Sequence, residues 1–236
     1  LYNPSSPSSR LGVHIDSLDS LPDGIEGIHL HALCENNVDV LEKMFGIIED
    51  KFSDSLYNLK WINFGGGHAI TRKGYDVSRL ILFLKALKSK YKLDVYLEPG
   101  SAITWDTGYL EAEVLDVITT KNKREVAMLD CSFTAHMPDC LEMPYTPVVS
   151  KATTDGEFPY VFGGGTCLAG DQLGVFKFNE PLEIGDKVRF EDMMHYTMVK
   201  TTQFNGMSHP SICIEDTKGE RILLKDISYN AYKSAL

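Results

Sequence analysis

The chain has 236 residues, 43% of them hydrophobic, and a formal net charge of −10 at pH 7. A chain of this length and composition can bury one large core or two ordinary ones. The acidic balance argues against nucleic acid as a partner, because phosphate backbones are bound by clustered Lys and Arg, and it favours a cationic substrate. No apolar run reaches the ~20 residues of a membrane span and no leader opens the chain, so we expect no membrane partner and a cytoplasmic location.

The cysteines are five in number and show neither a CxxC motif nor paired spacing. An odd, unpaired set predicts reduced thiols rather than a disulfide framework, and it gives no indication of a zinc site. The five are Cys34, Cys131, Cys140, Cys167 and Cys213. We therefore expect no bound metal.

Residues 1–24 are rich in Ser and Pro and are expected to begin as a loop over Asn3 to Ser9. Strand-like and helix-like patterns then alternate. Strands are predicted over residues 27–33, 59–64 and 93–97, and amphipathic helices over residues 38–51 and 77–91. This alternation predicts βα units with parallel strands.

Past Gly108 the pattern changes to short strand-like runs separated by turns such as Asp155-Gly156 and Lys218-Gly219. The runs cover residues 111–118, 126–131, 188–190 and 211–215. We place a domain boundary near Thr104, which divides the chain into residues 1–103 and residues 104–236. The predicted fold class is α/β with a β-rich C-terminal domain.

Three segments of the chain combine glycine with residues that can carry chemistry. The strand-like run from Trp61 leads into Gly65-Gly66-Gly67, whose bare backbone N–H groups suit a phosphate. The strand that ends at Leu97 is followed by Glu98-Pro99-Gly100, which places a carboxylate at a strand end. The third segment, Gly165 to Asp171, exposes Cys167 at a tight bend. A glycine triplet alone is more often a turn than a site, so the three segments carry the inference together.

These segments, together with four others, resemble the carboxynorspermidine (carboxyspermidine) decarboxylases, within the ornithine and diaminopimelate decarboxylase group of pyridoxal-phosphate enzymes. The four others are His29 to Glu35, Lys73 to Asp76, Ala135 to Asp139 and His195 to Thr197. The resemblance runs from Asn3 to Tyr232. It implies a (β/α) barrel that binds pyridoxal 5'-phosphate, incomplete here at its N-terminal side, followed by a β-domain.

The resemblance also implies how the cofactor is held. Glu98 matches the carboxylate that keeps the pyridine nitrogen protonated, and it counts among the substrate-binding residues as well. His31 matches a histidine over the cofactor ring and is counted as catalytic, whereas His29 is expected to be packed inside the barrel. The remaining cofactor-binding residues are Gly65, Gly66, Gly67, Gly100 and Tyr196. Without the resemblance, a loop carboxylate is usually solvated and a β-domain tyrosine usually packs in a core.

Three further residues match positions that handle the substrate. Cys167 matches a cysteine that reaches from the neighbouring subunit and returns a proton to carbon, and Asp171 matches an aspartate that binds the distal amine. Asp130 matches a second substrate-binding aspartate, since an amine donates a charge-assisted hydrogen bond to a carboxylate. The resemblance thus implies a homodimer with shared active sites. The structural alternatives are a buried thiol for Cys167 and a turn cap for Asp130.

The chain departs from the family pattern in two respects. Ser101 stands where relatives often have Arg or Glu, and Cys34 stands where some have a phosphate-contacting hydroxyl. The lysine that bonds to the cofactor has no match after an early barrel strand, and we expect it upstream of Leu1. The substitutes by location are Lys73, Lys151 and Lys200.

The resemblance implies decarboxylation of carboxynorspermidine or carboxyspermidine to norspermidine or spermidine, a step of polyamine biosynthesis. A non-catalytic, cofactor-free relative with a binding or regulatory role stays open because of the unmatched lysine. A diaminopimelate or ornithine decarboxylase is disfavoured by the matches at residues 32–35 and 136–139. Sequence does not decide between the two polyamine precursors, since one methylene changes binding by only about 1–3 kcal/mol.

Overall fold

The structure is a computed structural model that describes residues 4–143 and 145–234. It divides into two compact units, Leu1–Trp105 and Asp106–Leu236, which we call unit 1 and unit 2. This division lies close to the predicted boundary between residues 103 and 104. Asn3, where the predicted opening loop and the resemblance begin, lies outside the described residues. Within the described ranges, no helix is long and apolar enough to cross a membrane.

Unit 1 alternates strands and helices around a small parallel sheet. In chain order they are β1 (Gly27–His29), α1 (Val38–Leu56), β2 (Trp61–Asn63), α2 (Val77–Tyr91) and β3 (Asp94–Tyr96). The sheet order is β1-β2-β3, and both pairings are parallel. The predicted βα units are confirmed, although each strand is shorter than predicted and α1 continues five residues beyond residue 51.

The two helices of unit 1 follow from apolar spacing and from their end residues. Leu41 and Phe45 of α1 are buried four residues apart, which places them on one face of the helix. Helix α2 begins where the Asp76 carboxylate accepts a hydrogen bond from the Arg79 amide, and it ends at Lys92 in the left-handed conformation. The buried faces of both helices join the strands in one apolar cluster, in which each fully buried Leu or Phe contributes about 1.5–3 kcal/mol.

Unit 2 is built on a five-stranded sheet of order β7-β6-β5-β4-β8. Its strands are β4 (Leu110–Thr119), β5 (Glu125–Leu129), β6 (Phe158–Gly163), β7 (Gln172–Phe178) and β8 (Lys187–Phe190). Neighbouring strands are antiparallel except β5 and β6, which are parallel. The connection from β5 to β6 carries the short helices α3 (Phe133–His136) and α4 (Pro138–Glu142).

The end of unit 2 consists of short elements. They are α5 (Tyr196–Lys200), the antiparallel pair β9 (Ile212–Glu215) and β10 (Arg221–Lys225), and α6 (Tyr229–Ser234). The four strands predicted past Gly108 are all present as β4, β5, β8 and β9. Strands β6, β7 and β10 were not predicted from the sequence.

Candidate active site

The carboxyl ends of the three parallel strands bring several predicted site residues together. Because β1, β2 and β3 run in the same direction, the residues that follow them share one edge of the sheet. This edge carries His31 after β1, Gly65 after β2 and Glu98 after β3. Two hydrogen bonds extend the ladder beyond the strands, from Phe64 N to Tyr96 O at 3.0 Å and from Glu98 N to Gly65 O at 2.8 Å. The glycine turn and the Glu98 loop are therefore adjacent, as a shared site requires.

An asparagine at the end of β2 orients the Glu98 carboxylate. Asn63 Nδ2 donates to Glu98 Oε1 at 2.7 Å, and Asn63 Oδ1 accepts from the Gly65 amide at 2.8 Å. Because a backbone N–H can only donate, it fixes which end of the Asn63 amide is the oxygen and turns the NH₂ toward the carboxylate. Asn63 was not among the predicted site residues; its signal in the sequence is a polar side chain shortly before the glycine run.

Both histidines of the first strand segment face Glu98. Glu98 Oε2 lies 3.4 Å from His29 Nε2 and 3.9 Å from His31 Nδ1. The exposed fractions of the side chains are 45% for His29, 50% for His31 and 48% for Glu98. His31 lies beside Glu98, where a cofactor ring is expected. His29, expected to be packed, is exposed beside the same carboxylate, because residues two apart in an extended chain point to one face.

Backbone conformation and close packing both require glycine in the turn after β2. Gly65 and Gly67 have φ values of 63° and 79°, in the left-handed region. A Cβ at Gly66 would lie 2.9 Å from Glu98 O, and a Cβ at Gly67 would lie 2.2 Å from Leu33 O. Within the described residues, the amides of Gly66 and Gly67 have no hydrogen-bond acceptor, so both are available to a ligand.

A small pocket beside the glycine turn brings Gly67 and Gly100 to one surface, together with His68. His68 is buried, and its Nε2 lies 3.2 Å from Phe64 O. Burial lowers the pKa of His68 below its ordinary value, although the hydrogen bond to Phe64 O opposes this. His68 is therefore neutral near pH 7 and forms an uncharged part of the pocket wall.

The residues at this edge fit pyridoxal 5'-phosphate in chemical type. The cofactor presents a pyridine nitrogen, a flat ring and a phosphate. The edge offers an oriented carboxylate for the nitrogen, an imidazole for the ring and open amides at a glycine turn for the phosphate. Unit 1 thus holds the donor set that the predicted cofactor requires.

In unit 2 the buried Asp171 carboxylate holds the loop that carries Cys167. Oδ1 accepts from the amides of Phe133 at 2.7 Å and Thr134 at 3.1 Å, and Oδ2 accepts from the amide and hydroxyl of Thr166 at 3.1 Å and 2.7 Å. Burial by itself raises the pKa of Asp171, but the hydrogen bonds from Thr166 and Thr134 outweigh burial and keep the pKa below its ordinary value. Four donors from its own chain argue against the predicted contact between Asp171 and a substrate amine.

Cys167 is exposed, so the alternative of a buried thiol is wrong. Its backbone amide donates to Asn205 Oδ1 at 2.9 Å. Asn205 and Gly206 have φ values of 58° and 77°, so the chain turns at this Asn-Gly pair. The contact between Asn205 and Cys167 was not predicted, because it joins residues 38 positions apart.

The other two predicted site residues of unit 2 occupy ordinary positions. Asp130 follows β5, and its Oδ1 accepts from the Glu113 amide of β4 at 2.8 Å, as the capping alternative expects. Tyr196 begins α5 and is 53% exposed. Their contacts with substrate and phosphate stay predictions.

The three lysines named as substitutes lie away from the strand ends of unit 1. Lys200 donates to Asp139 Oδ1 at 2.8 Å and also to Glu142, and these carboxylates raise its pKa to about 12. Lys73 and Lys151 are exposed, and neither directly follows a strand of the parallel sheet. An exposed lysine is ordinarily a solubilising charge.

Comparisons with known proteins identify the family of the chain. The family model described as "Pyridoxal-dependent decarboxylase, C-terminal sheet domain" matches residues 13–194. A carboxynorspermidine/carboxyspermidine decarboxylase of Campylobacter jejuni is 44% identical over 98% of this chain and 64% of its own length. A carboxyaminopropylagmatine decarboxylase of Synechocystis is 48% identical over 100% of this chain and 62% of its own length.

A solved structure gives the same result at the level of fold. The crystal structure of carboxynorspermidine decarboxylase complexed with norspermidine, from Campylobacter jejuni, superposes with a TM-score of 0.88 at 43% identity. The superposition covers 98% of this chain and 66% of that one, so the chain spans somewhat less than two thirds of the length of its relatives. The predicted fold class, part of a (β/α) barrel with a C-terminal β-domain, is confirmed. The chain belongs to the pyridoxal-dependent decarboxylase family.

Proposed function

We propose that the whole protein is a pyridoxal-phosphate-dependent decarboxylase that converts carboxynorspermidine or carboxyspermidine to norspermidine or spermidine. The observation that carries the proposal is the Glu98 carboxylate, held by Asn63 at an edge that also presents His31 and the glycine turn. The similarity to the Campylobacter jejuni enzyme supports the substrate class. The reaction belongs to polyamine biosynthesis and takes place in the cytoplasm.

The residues of unit 1 bind and orient the cofactor in this proposal. Bound pyridoxal phosphate accepts into its ring the electron pair of the bond that breaks. Glu98 keeps the ring nitrogen protonated, and Asn63 holds Glu98 in the orientation that this requires. His31 would contact the ring, while Gly66, Gly67 and Gly100 would bind the phosphate by their backbone. Gly65 forms the turn that presents them, because its own amide already donates to Asn63 Oδ1.

The residues of unit 2 act on the substrate and complete the cofactor site. Cys167 returns a proton to the substrate carbon, and its exposed thiol supports this role. Asp130 binds a substrate amine, and Tyr196 donates its hydroxyl to the phosphate. Asp171 serves by positioning the Cys167 loop, because its carboxylate is occupied within its own unit. The functional assembly is a homodimer in which Cys167 serves the partner's site.

A second candidate substrate is carboxyaminopropylagmatine. The Synechocystis relative that carries this name is 48% identical, at least as similar as the Campylobacter jejuni enzyme. This substrate ends in a guanidinium group instead of an amine, and an acidic protein suits either cation. The two candidates share the reaction and differ in the group that binds at the far end of the substrate.

The test supplies the whole protein with each of the three carboxylated amines and measures the amine product and the released CO₂. We expect turnover of at least one substrate and a preference expressed in kcat/KM. Glu98→Gln keeps an acceptor for Asn63 but removes the charge, so activity should fall about 10²–10³-fold, as for the loss of one preorganised electrostatic contact. Glu26→Gln, at an exposed carboxylate paired with Lys60, is the matched control. No turnover of any of the three by a protein that binds the cofactor would overturn the proposal.

A further inference from the structure

Three side chains at the strand ends of unit 1 form a group with the composition of a metal site. The ligand atoms of His29, His31 and Glu98 all lie within 4.8 Å of one another. In the part of the chain that the structure describes, it is the one group of three or more His, Cys, Asp or Glu side chains so arranged. The cysteine pattern gave no indication of it, because the site contains no cysteine.

The spacing of the group matches the coordination shell of a small divalent ion. Bonds of about 2.0–2.2 Å in a tetrahedral shell place neighbouring ligand atoms roughly 3.3–3.6 Å apart. Glu98 Oε2 already lies 3.4 Å from His29 Nε2 and 3.9 Å from His31 Nδ1. Small rotations of exposed side chains are enough to bring all three ligand atoms to one ion.

The carboxylate of the group is oriented by a hydrogen bond from a neighbouring side chain, as metal ligands usually are. Asn63 Nδ2 donates to Glu98 Oε1 at 2.7 Å, which leaves Glu98 Oε2 facing the two histidines. Two imidazole nitrogens and a carboxylate are the protein ligands of many zinc sites that keep positions open for water. About half of each of the three side chains is exposed, so water can reach the remaining positions.

We propose that His29, His31 and Glu98 bind a divalent transition-metal ion, Zn²⁺ or Co²⁺, when pyridoxal phosphate is absent. The ion and the cofactor then exclude each other, because both use His31 and Glu98. The exclusion rests on the proposed function, whereas the metal site itself does not.

The metal site is tested with the full-length protein, carrying no oligohistidine tag and freed of cofactor by dialysis. Co²⁺ is added and its visible absorption is recorded; Zn²⁺ is then added to displace it. We expect one Co²⁺ per chain, with the band intensity of nitrogen and oxygen coordination. Asn63→Ala should weaken binding by about 10–100-fold, the usual effect of removing a side chain that holds a metal ligand in place by a hydrogen bond. His29→Gln should weaken it further, because it removes a ligand.

His14→Gln is the matched control, since His14 is an exposed histidine 3.4 Å from the carboxylate of Asp16. Circular dichroism shows whether each variant is folded. If His29→Gln does not fold, the Co²⁺ affinity of Asn63→Ala tests the metal site instead. Equal Co²⁺ affinity of the wild type and of the folded variants would overturn the metal site.

The exclusion is tested separately, by adding pyridoxal phosphate to the Zn²⁺-loaded protein and measuring released Zn²⁺ with a coloured chelator. We expect the amount of released Zn²⁺ to rise with the amount of bound cofactor and to level off when the cofactor sites are full. Tight Zn²⁺ that persists while the cofactor binds would overturn the exclusion and leave the metal site standing. A protein that binds Zn²⁺ but never the cofactor would contradict both the proposed function and the exclusion. The metal site itself would still stand.

Discussion

At the scale of single residues, Asp171 links the protonation of one carboxyl group to the stability of unit 2. In the unfolded chain an aspartate has a pKa near 3.9, and the hydrogen bonds in the folded protein hold the pKa of Asp171 lower. Folding is therefore favoured by the ionised form. This contribution is complete above the unfolded pKa and is lost as the pH falls through the folded pKa.

Asp171→Asn should destabilise the protein by about 1–3 kcal/mol at pH 7, the cost of leaving buried donors without acceptors. In the wild type four donors share the two oxygens of the carboxylate, whereas the asparagine offers them only one acceptor oxygen. Urea unfolding measures the difference. The gap between wild type and variant should narrow as the pH is lowered below about 4, where the Asp171 carboxylate of the unfolded wild-type chain starts to gain its proton.

Asp186→Asn provides the comparison for Asp171→Asn. Asp186 is exposed and accepts from the Glu183 amide at 2.7 Å, and an asparagine there keeps an oxygen for this single donor. We expect a change of less than about 1 kcal/mol there. Equal losses in the two variants would show that burial of Asp171 is not what gives its hydrogen bonds their value.

The position of a side chain could be predicted from sequence where it follows from a strand end. His31 and Glu98 are close together because parallel strands end at the same edge. The contacts of Asn63 with Glu98 and of Asn205 with Cys167 were not foreseen. Each joins residues distant in sequence, and short polar side chains of this kind occur in any turn.

At the scale of elements, the turn after β2 requires glycine, whereas helix α1 contains a glycine that it does not require. Gly67→Ala should destabilise the protein by more than the roughly 1–2 kcal/mol of a left-handed alanine, because the added Cβ also meets the Leu33 carbonyl at 2.2 Å. Gly46 lies inside α1, and a Cβ there meets nothing within 4 Å. Gly46→Ala should stabilise the protein by about 0.5–1 kcal/mol, since alanine favours helix. Denaturant unfolding of the two variants compares them, and equal effects would mean that the turn adjusts to a side chain.

The predicted elements were most accurate where the apolar pattern was simple. Helix α2 has the predicted bounds, Val77–Tyr91, because its apolar residues, capping Asp76 and terminal Lys92 agree. Strand β6 was missed because Pro159 interrupts its start and three glycines surround its end. Strand β7 buries residues without strict alternation, and β10 is exposed throughout, so neither shows a period-two pattern.

At the scale of the whole molecule, the proposed homodimer makes a prediction about mixtures. If Glu98 of one subunit and Cys167 of its partner form one site, Glu98→Ala and Cys167→Ala subunits complement each other. Random exchange at equal amounts makes half of the dimers mixed, each with one intact site of two, so activity should return to about a quarter of the wild-type value. Amine production after verified subunit exchange is the measurement. Activity that stays at the level of the separate variants would show that each chain builds its own site.

The predicted boundary near Thr104 rests on the change in pattern past Gly108, because βα alternation and short strands produce different periodicities, and the two compact units of the structure meet close to it. The order of strands in unit 2 could not be foreseen. Pairing across the sheet depends on contacts between distant segments, and the parallel pair β5–β6 follows from a long connection that the pattern does not reveal.

The pairing of β4 with β8 determines when the sheet of unit 2 can be completed on the ribosome. β5 emerges soon after β4 and can cover one of its edges, but the other edge stays open until Lys187–Phe190 has been synthesised. An unpaired strand edge is a template for association with other chains. A pause in translation between β7 and β8 would therefore lengthen the time in which the nascent chain can aggregate, because Leu110–Glu113 of β4 would wait that long for its pairing partner.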